Sequence, residues 1–187
     1  MRYGEALNEG YLTAENIRTL VGTVALLQFL GALLTFTPTR ERRRGHSFPA
    51  VIAYAVVVTG TTRADLFNAA AIPGCLGLAG ALGLFAWARL ATQGRFFSYI
   101  ASTDTPKFIC TDGPYRWIRH PFYASYLLTL VSTAVLFPSL VTIIGTAVAI
   151  LGFNRSAKFE EDKFEDSPLA SEYRAYMTRT GRFLPGF

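Results

Sequence analysis

Four long stretches of this chain contain no Lys, Arg, Asp or Glu, and they decide what it can fold into. They cover residues 19–39, 45–62, 66–88 and 120–154. In hydrocarbon every backbone N–H and C=O must be bonded internally, so a chain crosses as helix. About 20 apolar residues, rising roughly 1.5 Å each, cover a ~30 Å layer. The first three stretches are near that length, although the continuous apolar part of the second is only residues 48–58. The fourth is too long for one crossing and short for two. Pro138 stands near its middle, where the ring removes a backbone donor and clashes with the preceding turn. This spacing predicts a tight helical hairpin turning at Pro138, with a single kinked helix as the alternative. The expectation is an all-α membrane protein of about five transmembrane helices, forming one membrane domain over residues 1–187. The first two helices fall in 1–70 and the remainder in 71–187. A soluble helical bundle needs no such stretches, and charged residues are 17% of this chain against roughly 25% in ordinary soluble domains.

The formal net charge of +5 does not point to nucleic acid, because the basic residues cluster between apolar runs and no aromatic–basic interleaving of a strand reader lies outside them. A five-helix count puts fifteen of the eighteen Lys and Arg on one face, in clusters at 40–44, 89–119 and 155–182. Arg2, Arg18 and Arg63 fall on the other. By the positive-inside rule the N-terminus faces out and the C-terminus faces the cytoplasm, with the basic side chains against anionic lipid. Glu5, Glu9 and Glu15 are unlike the basic start of a cleavable signal peptide, so the first run is expected to stay as a span. Cys75 and Cys110 have no partner at metal-ligand spacing and are expected to be thiols; no metal site is expected. Glycines recurring from Gly74 to Gly83 suit close helix packing. No strand precedes them, so a phosphate loop is not the reading.

Two polar segments share the expected cytoplasmic face, about 89–119 and about 155–187. The first ends in Gly113-Pro114-Tyr115-Arg116-Trp117-Ile118-Arg119-His120-Pro121-Phe122-Tyr123. Gly113-Pro114 signals a turn, and Pro121 suits the first turn of the fourth helix, whose free N–H groups then face the cytoplasm beside Arg119 and His120. The same residues also fit an interfacial belt of aromatic anchors and phosphate-binding arginines. Beyond the fifth helix come Glu160-Glu161-Asp162. If that helix continues, Glu160 and Glu161 point about 100° apart, so one can face inward. A solvated helix end is the alternative. A hairpin at Pro138 makes the two ends neighbours. In the tail, Ser167-Pro168 reads as a cap opening a helix over 168–178 with Tyr173 and Tyr176 on one face.

The run Gly113-Pro114-Tyr115-Arg116-x-x-Arg119-His120-Pro121-x-Tyr123, the pair Glu160-Glu161 and the ending Tyr173-x-x-Tyr176-x-x-Arg179…Leu184-Pro185-Gly186 together resemble the isoprenylcysteine carboxyl methyltransferase and phospholipid methyltransferase group, from about Gly77 onward. The resemblance implies S-adenosylmethionine in a cytosol-facing C-terminal catalytic region, 71–187 being the methyltransferase core. A lipophilic isoprenoid or lipid substrate would enter from the membrane. Ile109, Cys110, Gly113, Tyr115, His120, Tyr123 and Glu160 would contact the cofactor, and Arg119 and Glu161 would orient the acceptor. Ser125 departs from the family, which usually has glycine there. The implied location is a bacterial inner membrane or the endoplasmic reticulum. A carboxylate acceptor, such as a prenylated cysteine, needs no general base and suits the Arg119 guanidinium. A phospholipid amine must lose a proton, with Glu161 as the candidate base. An NADPH-dependent enzyme like the sterol reductases, which share a related C-terminal arrangement, and a non-catalytic scaffold stay open beside these.

Overall fold

The computed structural model describes residues 13–37, 48–92, 97–98, 106 and 108–186. Among them the chain is helical: α1 (Ala14–Thr35), α2 (Phe48–Gly60), α3 (Ala71–Ala91), α4 (Pro121–Leu136), α5 (Leu140–Glu165) and the short α6 (Ala170–Met177). A two-residue parallel pairing, β1 (Phe36–Thr37) on β2 (Phe97–Ser98), was not anticipated by the sequence reading. The basic cluster at 40–44 lies outside the described residues.

Helices occupy all five expected places; among the described residues two, where five were expected, are long and apolar enough to cross a membrane: Asn68–Ala91 and Leu140–Glu165, of 24 and 26 residues. The short helices are α2 and α4. The 13 residues of α2 reach about 20 Å and the 16 of α4 about 24 Å, both below a ~30 Å core.

The hairpin forms where the proline predicted it. Helix α4 ends at Leu136, and α5 begins after Ser139, whose hydroxyl accepts the Thr142 N–H at 3.2 Å while the Thr142 hydroxyl accepts the Ser139 N–H at 3.0 Å. This reciprocal capping box satisfies end groups that proline has just freed. The glycines of α3 divide: a Cβ at Gly74 would fall on Leu136 and one at Gly77 on Ser132, whereas Gly83 has nothing near it. The first two therefore let α3 and α4 approach closely.

Two apolar clusters fill the interior. One joins Ile17, Val21 and Val24 of α1 to Leu78, Leu136 and Phe137. The other joins Val57, Phe85 and the inner faces of α4 and α5 to Cys110 and Tyr115. Large apolar side chains such as Leu76, Leu140 and Leu151 are 67–77% exposed. Those outward faces suit lipid rather than water.

Candidate functional site: an ion-paired cluster at the end of the hairpin

The Pro138 turn brings the first turn of α4 against the last turns of α5. Helix α5 runs on past the apolar stretch that ends at Asn154, so Glu160 and Glu161 sit one turn or more beyond it. Of the pair, Glu161 is the inward one, 7% exposed, and Glu160 remains 26% exposed.

Glu161 is the centre of the cluster. Arg119 Nε donates to its Oε1 at 2.9 Å, His120 Nε2 lies 3.2 Å from the same oxygen, and Arg182 Nη2 donates to Oε2 at 2.5 Å. Burial on its own would raise this carboxyl. The bonds from His120, Arg182 and Arg119 outweigh burial and hold it well below the ordinary carboxylate range. His120 is subject to the same opposition: burial pulls the imidazole down, but the hydrogen bonds and charges of Glu160 and Glu161 raise it above its usual value. Its other nitrogen, Nδ1, is 3.5 Å from Glu160 Oε2. Tyr123, one turn along α4, stacks on the imidazole at 5.5 Å with 12° between the planes and donates its hydroxyl to Glu160 at 2.5 Å.

The C-terminal segment closes over this end. Arg119 and His120 donate their backbone N–H groups to the carbonyls of Gly181 and Arg182 at 2.8 and 3.1 Å, and Gly181 and Gly186 both donate to the Trp117 carbonyl. Arg119 Nη1 donates to the Thr180 carbonyl and, at 3.4 Å, to that of Met177. Among the described residues no hydrogen bond engages its Nη2.

The structure thus gathers five of the nine residues that sequence reasoning selected: Arg119, His120, Tyr123, Glu160 and Glu161. The other four lie along the approach to α4. Gly113 has φ +56°, and a Cβ there would also run into Trp87 and Ala91, so both backbone and space require glycine. Cys110 and Tyr115 are buried in the same apolar cluster as Tyr123, and the Tyr115 carbonyl accepts the Tyr176 hydroxyl at 2.6 Å. Ile109, half-buried, precedes them. In the tail, the regular helix begins at Ala170 rather than 168, with Ser167 Oγ accepting the Leu169 N–H at 3.2 Å. Tyr173 and Tyr176 share a buried face as expected.

Sequence reasoning missed Arg182. Its Nη1 also donates to Asn154 Oδ1 at 2.6 Å, so one guanidinium ties the tail to two points of α5. The available signal was charge balance: an inward carboxylate beside both His120 and Glu160 calls for more than the one guanidinium of Arg119.

A helical chain with two membrane-length apolar helices and an ion-paired polar cluster at the end of its helical hairpin defines a class of protein with chemistry at one end of an apolar bundle. Residues 75–165 match the isoprenylcysteine carboxyl methyltransferase (ICMT) family. The match takes in nearly all of α3, all of α4 and α5, and both glutamates; the tail with Arg182 lies beyond it. The family is one of membrane-integral methyltransferases. No curated protein matches the chain.

Proposed function

We propose that this chain transfers the methyl group of S-adenosylmethionine to a lipophilic carboxylate, a prenylated cysteine or a similar isoprenoid acid. The family match over α3–α5 supports methyl transfer. What supports a carboxylate is the state of Glu161: its bonds to Arg119, Arg182 and His120 hold it ionised, so it is a poor proton acceptor. A phospholipid amine needs a base to take its proton, and Glu161, engaged by three donors, is poorly suited to be one. A carboxylate acceptor arrives already ionised.

The residues present fit the cofactor. Glu160 is the partly open carboxylate of the cluster, fixed by Tyr123 and suited to a ribose diol or an ammonium group. The stacked His120 and Tyr123 rings offer it an aromatic wall. Ile109 and Cys110 would contribute backbone contacts, and Gly113 and Tyr115 would line the approach. When bound, the cofactor supplies an electrophilic methyl group. The chain's own part is then alignment and exclusion of water. Arg119 is clamped by Glu161 and the tail carbonyls, which leaves Nη2 to orient one oxygen of the acceptor. Arg182, 30% exposed, stands beside it as the second guanidinium. In this reading the chain is one membrane domain of about five crossings, its 71–187 core facing the cytoplasm and helices one and two supporting it.

The test is equilibrium binding of S-adenosylmethionine, its demethylated product and NADPH to the detergent-solubilised chain, followed by single-turnover transfer of labelled methyl to a farnesylated cysteine analogue and to phosphatidylethanolamine. The first two ligands bind and the carboxylate is methylated. Arg119→Lys, which offers a point charge in place of a planar fork, lowers that transfer at least ~100-fold, or ~2.7 kcal/mol, while cofactor affinity stays within a few-fold. Binding of NADPH alone, or transfer to the amine alone, overturns the proposal.

A further inference from the structure

A second polar feature lies outside the glutamate cluster. Between the turn at Gly113–Arg116 and the end of α6 opens a cleft of about 320 Å³ lined by Thr111, Asp112, Arg116, Tyr176 and Arg179. Its inner wall is rigid, because the buried Tyr176 ring is tied through its hydroxyl to the Tyr115 carbonyl. The Arg179 guanidinium carbon sits 6.0 Å from the centroid of that ring, within cation–π range.

The two arginines differ from those of the cluster. Arg119 and Arg182 pair with Glu161, and Arg174 with Glu165. Among the described residues neither Arg116 nor Arg179 has a carboxylate within ion-pair distance. With Asp112 on the same lining, the cleft keeps one positive charge in excess. Its level is marked by Trp117, next in sequence to Arg116, whose ring centroid lies 5.8 Å from that of Trp87; both indoles are 45% exposed. Exposed tryptophans beside arginine at the end of a membrane-length helix belong at the head-group level.

We propose that this cleft binds the singly charged phosphodiester of an anionic membrane phospholipid, with Arg116 and Arg179 on the phosphate oxygens and the Thr111 hydroxyl as a further donor. Planar guanidinium groups meet phosphate oxygens with paired hydrogen bonds, and one excess charge matches a phosphodiester. The inference rests on the membrane placement of the proposed function. A bound head group would brace the end of α6, from which Met177 and Thr180 present their carbonyls to Arg119.

The chain has two tryptophans, Trp117 next in sequence to Arg116 and Trp87 against it, so its own fluorescence reads lipid at this end of the bundle. The full chain in detergent is titrated with phosphatidylglycerol or phosphatidylcholine bearing brominated acyl chains. Phosphatidylglycerol quenches saturably and at lower concentration than phosphatidylcholine. The Arg116→Gln/Arg179→Gln variant weakens that quenching about 10- to 30-fold, since each basic residue near an anionic surface contributes about one kcal/mol. The exposed single change Arg179→Gln gives a smaller shift in the same direction should the double variant unfold. Equal quenching by both lipids, or none of the loss in either variant, overturns the proposal. Glycerol 3-phosphate binding as tightly as the lipid makes the ligand a soluble phosphate and overturns it too. A parallel loss of S-adenosylmethionine affinity assigns the cleft to the cofactor and has the same consequence. Lipid-selective quenching in a chain that binds no S-adenosylmethionine instead leaves the cleft standing and sinks the proposed activity.

Discussion

Glu161 and His120 pull each other's protonation in opposite directions, and that has a consequence for stability. The carboxyl is depressed in the fold, so what it contributes is present above its ordinary value near ~4.3 and is lost as pH falls through the folded value. The imidazole is raised, so its contribution is complete below ~6.5 and fades as pH rises through the folded value. Thermal unfolding in detergent is therefore expected to peak between roughly pH 4.5 and 6.5 and to decline toward pH 9. Glu161→Gln removes most of that decline; a wild-type midpoint that climbs from pH 6 to 9 contradicts it. Glu160 is the partly exposed member of the pair and the one assigned to the cofactor. Glu160→Gln is expected to weaken S-adenosylmethionine binding by ~1.5–3 kcal/mol, the scale of one hydrogen bond to a charged group, measured by calorimetry. Unchanged affinity in a folded variant removes that role. At this scale the sequence was informative because Arg119, His120, Tyr123 and the two glutamates are dense and chemically unusual within an apolar chain. Arg182 was hidden because its partner is 21 residues away and only the tail's fold-back joins them.

The helices were legible wherever one force dominated. Pro138 and Ser139 set the hairpin locally, through a missing donor and a cap. Span lengths were less legible, because an absence of charge does not mark where a helix begins. Helix α2 ends at Gly60 and Thr61–Arg63 form a 3₁₀ turn, although the charge-free stretch runs on to 62. Contacts between distant helices were not legible at all. Gln28 of α1 is fully buried and bridges α2 and α4: Tyr54 donates to its Oε1 at 2.6 Å, Thr129 donates to the same atom at 3.2 Å, and its Nε2 donates to the Ser125 carbonyl at 3.4 Å. Ser125, where the family usually has glycine, keeps its own hydroxyl on the Phe122 carbonyl at 2.7 Å. The polar bridge thus meets the α4 backbone next to the motif residues. Gln28→Leu strands the Tyr54 hydroxyl and is expected to destabilise the folded chain by about 1 kcal/mol, within the range for interhelical bonds in membranes. Adding Tyr54→Phe should recover part of that loss, because both partners are then apolar. Denaturant titration of the single and double variants checks it, and a double variant no more stable than Gln28→Leu rejects the bridge as its cause.

Across the whole molecule the distribution of charge and the position of the cluster have to agree. The glutamates, His120 and the tail lie at one end of the α4–α5 hairpin, and Pro138 is at the other. Arg63 follows α2 on the Pro138 side: Arg18 donates to the Thr61 and Ala64 carbonyls at 2.9 and 2.8 Å, its guanidinium carbon sits 5.4 Å from the Phe137 ring centroid, and the Phe67 N–H donates to the Leu136 carbonyl. Residue 63 and the cluster are thus at opposite ends of the bundle, as the positive-inside count requires if Arg2, Arg18 and Arg63 face out and the fifteen other basic residues face in. In the proposed function a charged cofactor has to reach the cluster from the cytoplasm, so sidedness bears on function as well as on insertion. With Cys75 and Cys110 replaced by alanine, a cysteine at Arg63 is expected to react with an impermeant maleimide from outside the cell. One at Ser171, exposed on α6, is expected to react only after the membrane is opened. Labelling of Ser171→Cys from outside would reverse the orientation and remove the cofactor's access. Labelling of both positions from the same side would rule out hairpin ends on opposite faces, and with them the crossing count on which the proposed function relies.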